Sequence, residues 1–162
     1  MQVRGLERIL GYVSATSLFA MMALTFADVI GRKYFGNSIV GSFEVTELLM
    51  LVLIFTALPL TSLRGEHVVF DLLDRSLSER ARHWQKQIAN LLTAGMLLGA
   101  AWLVFERATR TAEFGDNTAQ LRIELAPFHF MVALMLVVAA AMHVYLIATT
   151  RPESASAELE SA

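Results

Sequence analysis

Four charged side chains fall where a strongly apolar chain has little room for them: Asp28, Arg32, Glu44 and Glu47. They flank or enter long hydrophobic runs, and a charge near hydrocarbon is costly unless it is paired or faces protein or water. Three chemistries fit. The four can form a polar cluster that locks the chain to itself or to a partner; they can snorkel as ordinary interfacial groups; or they can relay protons. Pairing is favoured, because both glutamates penetrate the apolar block instead of stopping at its edge. Arg32 and Glu44 flank one short turn, so each is expected to meet the other or a partner subunit. An Arg–carboxylate pair shielded from water forms two parallel hydrogen bonds.

Two histidines invite a different chemistry. His129 and His143 lie 14 residues apart in the last apolar run. On one helix that is about 21 Å along the axis and nearly the same face. Two haem ligands can be arranged so, but each haem needs another axial ligand at matching depth. His67 and His83 can pair only with His143, which leaves none for His129. Packed or interfacial histidines fit the pattern better. Gly95 and Gly99 make a GxxxG step that permits close approach of another helix, with no partner assigned by the sequence. No nucleophile–base set, glycine-rich phosphate loop or metal-ligand spacing occurs, so no catalytic residue, metal or cofactor is expected. The net charge of −2 gives no nucleic-acid footprint. The absence of cysteine removes disulfide and thiol chemistry without fixing a compartment.

The elements that must position these residues are apolar blocks at 9–27, 43–63, 88–105 and 126–150. Hydrophobic residues make up 56% of the 162-residue chain, against roughly 45–50% in a soluble domain. Spanning the hydrocarbon takes about 20 helical residues, and the blocks lack the alternation of barrel strands. The expected fold is an all-α membrane protein with four transmembrane helices, near 9–30, 43–63, 77–114 and 127–150, in one domain over 1–150. Residues 151–162, rich in Ser, Ala and Glu, read as a disordered cytoplasmic tail. The first block exceeds the length of a signal-peptide core and lacks a clear cleavage site, so a retained helix is expected.

Charge orients the bundle. With four spans, the N-terminus, middle loop and tail carry eight of the 13 Arg and Lys residues, and the other side carries five. Cationic loops stay cytoplasmic, which places both termini inside. The first helix is expected to end at Asp28, Arg32 and Lys33 in an outer interfacial turn, and Ser42 to cap the second. Between helices two and three, Val69, Phe70 and Leu73 share a face, and Asp71 and Arg75 are spaced i, i+4, so 67–75 reads as an amphipathic segment on the inner surface. Ser76 and Glu79 match a capping box. A helix from there to Gly115 would be about 57 Å long, so it should tilt, protrude or break.

Linked motifs then point to a family. Asp28-Val-Ile-Gly-Arg32-Lys-Tyr-Phe, Ile39-Val-Gly41-Ser-Phe-Glu44 and Gly65-Glu-His67-Val-Val-Phe-Asp71, with Leu121-x-Ile123 before the last helix, resemble the DctQ-type small membrane subunit of TRAP transporters, the tripartite ATP-independent periplasmic transporters. The resemblance covers about residues 4 to 150. One departure is Glu124, where the family often has proline; here the proline comes at Pro127. The resemblance implies a non-catalytic scaffold in a bacterial inner membrane, clasping a large membrane subunit that performs sodium-coupled uptake of an organic acid or related solute. A periplasmic solute-binding protein would be a transient partner. It also implies that Arg32, Glu44, His67 and Asp71 are structural or docking residues. The rivals are a haem-bearing anchor of a redox enzyme and a small homo-oligomeric exporter.

Overall fold

The structure, a computed structural model, describes residues 2–64 and 79–149. The described residues form four α-helices: α1 (Gln2–Phe35), α2 (Ser42–Arg64), α3 (Glu79–Phe114) and α4 (Ala126–Thr149). Each contains a stretch long and apolar enough to cross a membrane: Gly5–Phe35, Ser42–Ser62, Trp84–Phe114 and Ala126–Ala148. The amphipathic segment expected at 67–75 lies outside the described residues, as does the tail.

α1 does not stop at its polar cluster. It carries Asp28, Arg32 and Lys33 within its last turns and ends at Phe35. The physical reason is local. Asp28 and Arg32 are spaced i, i+4 and pair along the helix. The first residue that ends the helix is Gly36, whose φ of +67° suits the left-handed cap position.

The cap of α2 also falls one residue earlier than expected. The Gly41 carbonyl accepts the Val45 N–H at 3.0 Å, which places Gly41, not Ser42, at the cap. Gly41 has φ +77°, and a Cβ there would meet the Leu121 side chain at 2.4 Å. Glycine is therefore required by backbone and by space. Further on, α2 passes through Pro59 without ending. The Thr61 and Ser62 hydroxyls both bond the Leu58 carbonyl beside the proline.

α3 is continuous over its 36 residues, about 54 Å, so it is longer than the hydrocarbon is thick. It closes in a Schellman arrangement: Gly115 has φ +66°, and Asp116 N–H bonds the Thr111 carbonyl at 3.2 Å.

The packing order is α1–α2–α4–α3, so α4 sits between two helices that precede it in sequence. The α3–α4 seam repeats every seven residues. Ala94, Ala101 and Ala108 are buried on α3, against an α4 face that includes Val132, Leu136 and Ala139. Small residues let backbones approach closely where lipid supplies no hydrophobic drive between helices. Ala101, Val132 and Leu136 form the core, flanked by Leu51 and Phe55 from α2. Phe105 and Phe130 meet edge to face, centroids 5.8 Å apart. At the other junction the hydroxyls of Ser14 and Thr56 share a 2.9 Å hydrogen bond between α1 and α2.

Candidate functional site

Two short connections, 36–41 and 115–125, lie at the same end of the bundle and are tied together there. The second is a compact hairpin. Thr118 N–H bonds the Ile123 carbonyl, Leu125 N–H bonds the Asp116 carbonyl, and Asn117 bridges to Glu124. Its tip presents the backbone N–H groups of Gln120 and Leu121 towards α2.

Glu44 receives them. Its two carboxylate oxygens accept the Gln120 N–H at 2.6 Å and the Leu121 N–H at 3.0 Å. In return the Gln120 side-chain carbonyl accepts the Gly41 N–H at 2.9 Å. The first turn of α2 and the tip of the α3–α4 hairpin are thus joined by three hydrogen bonds, two of them to a charged acceptor and so stronger than neutral ones.

Asp28 performs the matching task for the other loop. It is 5% exposed and accepts the Ile39 N–H at 2.8 Å and the Ser38 hydroxyl at 3.1 Å, while pairing with Arg32. One carboxylate therefore fastens the α1–α2 loop and another fastens the α3–α4 loop. Each sits where free N–H groups would otherwise lack partners.

The sequence-predicted residues separate on this basis. Asp28, Arg32 and Glu44 are used within the chain: Arg32 turns back along α1 to Asp28 and Glu44 turns to the hairpin, so these two do not pair with each other here. Glu47 is exposed on α2 and joins none of these bonds. Gly95 and Gly99 face open space, with no atom of a neighbouring element within 4 Å of a Cβ at either position among the described residues. His67 and Asp71 lie outside the described residues. Of the two histidines, His129 Nδ1 bonds the Leu125 carbonyl at 2.9 Å. His143 is 2% exposed, and its Nδ1–H donates to Asn90 Oδ1 at 3.0 Å across the α3–α4 seam.

Sequence reasoning missed Ser38, Gln120 and Asn90. Gln120 carries no local signal, since its role depends on a loop 76 residues away from Glu44. Asn90 was legible in principle. It falls four residues before Ala94, one helical turn away on the same face of α3 as the buried alanines.

This end of the bundle is held by hydrogen bonds between its two loops and the helix ends. It contains carboxylates satisfied by backbone donors, with no nucleophile or base poised at a reacting position among the described residues. A family model described as tripartite ATP-independent periplasmic transporters, DctQ component, matches residues 21–151. That range takes in the later part of α1, both tied loops and all of α2, α3 and α4. No curated protein matches the chain.

Proposed function

The chain belongs to the DctQ component of the tripartite ATP-independent periplasmic transporters, and from that membership we propose that it is the non-catalytic scaffold subunit of a sodium-coupled uptake system. On this reading it stays bound to the large membrane subunit, which holds the solute and sodium sites. A periplasmic binding protein delivers an organic acid or related solute and docks only transiently. Both termini are cytoplasmic and the tied loops periplasmic, a direction supported by the eight-to-five division of Arg and Lys.

The observation that carries the scaffold role is the use of Asp28 and Glu44. Both are charged groups at helix ends, and both are committed to holding this chain's own loops. A group that relays protons must exchange partners; these are held by backbone N–H groups. The core between α2, α4 and α3 is apolar and filled by Ala101, Val132 and Leu136.

The test is reconstitution in proteoliposomes with the binding protein and an imposed sodium gradient. Uptake is expected only when this chain and the large subunit are both present, and it should collapse with the gradient. Full-rate uptake by the large subunit without this chain would overturn the scaffold reading. So would uptake by this chain alone.

A further inference from the structure

Glu47 stands apart from the charges around it. Asp28 and Arg32 pair with each other, and Glu44 is bound by the hairpin. Glu47 lies one turn further into α2 than Glu44, about 7.5 Å along the axis from Ser42. It is exposed, and it makes no hydrogen bond or ion pair among the described residues. It also belongs to a lane. Phe43, Glu47, Met50, Ile54 and Thr61 are all exposed, at steps of 4, 3, 4 and 7 residues. That 3.5-residue period is the geometry on which a second helix packs at a shallow crossing angle.

Lipid is a poor cover for this lane. A carboxylate inside an apolar span must be paired, reach water or lose its charge. A glutamate stem is short, and the residue one turn nearer the loop end on the same lane is Phe43, 79% exposed and apolar. A second copy of the chain is a poor cover as well. Two copies in one membrane share their orientation, so a twofold contact through this lane sets Glu47 against its own mate. Like charges at that distance repel.

We infer that the Phe43–Glu47–Met50–Ile54 lane of α2 seats a transmembrane helix of the large transporter subunit, and that this helix brings an Arg or Lys to Glu47. The inference rests on the family-based reading above and deepens it by naming the face and the partner's charge. The gap in the lane fits: Ala57, the next position in the period, is small and half-buried, which lets the incoming helix approach closely there.

The experiment uses the complex of the full chain co-expressed with its large subunit. A photo-crosslinking residue is placed at Met50 or at Ile54, and adducts are identified by mass spectrometry. Both positions are expected to crosslink to one transmembrane segment of the large subunit. Glu47→Leu, which would be neutral or favourable against lipid, is expected to cut recovery of the large subunit at least tenfold while this chain's own membrane level and melting temperature hold. Glu47→Lys should do the same, and exchanging the partner's cation for Glu should restore recovery to the Glu47→Lys variant. Adducts between two copies of this chain, or no protein adduct from either position in an intact complex, would overturn the assignment. Undiminished recovery with Glu47→Leu would also overturn it, leaving the family-based reading intact. Failure of the unaltered chain to recover any large subunit would overturn both.

Discussion

Glu44 holds the backbone N–H of Gln120 at 2.6 Å, so the start of α2 and the tip of the α3–α4 hairpin form one unit although 76 residues separate them. Glu44→Gln keeps the shape but offers one acceptor oxygen where the carboxylate offers two. One of the two N–H groups then loses its partner, and amide exchange at Gln120 and Leu121 should quicken about tenfold or more, since exchange there requires local opening only. Hydrogen-exchange mass spectrometry checks this. Exchange at Gln120 and Leu121 unchanged from the parent would show that the carboxylate is not what holds the tip.

The second prediction concerns Gly41, which is strained for any other residue and crowded by Leu121. Gly41→Ala is expected to cost about 1–2 kcal/mol from the left-handed backbone alone, with the side-chain clash added. Leu121→Ala in the same chain should recover the clash but not the backbone share. Melting temperatures in detergent for the parent, Gly41→Ala and the double variant separate the two parts. Full rescue by Leu121→Ala would mean that the backbone conformation is not strained.

A third prediction tests the polar contact in the α3–α4 seam, where His143 donates to Asn90 at 3.0 Å. Such interhelical bonds in membrane bundles contribute about 0.6 kcal/mol on average and at most about 1.7. A double-mutant cycle with Asn90→Leu and His143→Leu, read by unfolding in mixed micelles, should give a coupling energy in that range. Coupling near zero would place the seam's stability in its alanines alone.

The fourth prediction contrasts two small residues on one helix. Ala108 is fully buried, whereas Gly99 faces open space. Ala108→Leu overpacks the seam and should destabilise the isolated chain by about 1–3 kcal/mol. Gly99→Ala removes backbone freedom without a clash and should stabilise it by about 0.5–1 kcal/mol. The melting temperatures should therefore move in opposite directions. A destabilising Gly99→Ala would reveal a neighbour on that face.

Topology gives the fifth. A fusion at Ala162 should be active with a reporter that works only in the cytoplasm, following the cation division. Strong activity of a periplasmic phosphatase at the same position would reverse the orientation.

Much of the fold was legible because its signals are local. Four apolar runs of spanning length announce four helices, and glycines such as Gly36 and Gly115 mark where two of them end. The polar cluster was found by composition, but its pairing was not. Proximity across a short turn suggested Arg32 with Glu44, yet Asp28 was already one helical turn from Arg32, and the hairpin's N–H groups were nearer to Glu44. Those donors belong to the backbone, so no residue type betrays them. GxxxG drew attention to Gly95 and Gly99, while the packing that does occur within the chain uses the quieter heptad of Ala94, Ala101 and Ala108. Alanine every seven residues is easily read as composition, because it differs so little from the lipid-facing residues beside it.

The placement of α4 between α2 and α3 has a bearing on biosynthesis. A ribosome delivers the helices in chain order, so α1 and α2 can close on each other as soon as both have left the insertion machinery. α3 enters the membrane with its seam alanines uncovered, because the surface they fit has not yet been translated. The last helix made then slides between the two earlier parts and covers both at once, with His143 meeting Asn90 and Leu136 entering the core. A chain interrupted between Phe114 and Ala126 therefore holds an α1–α2 pair and a lone α3 with no helix to pack them together.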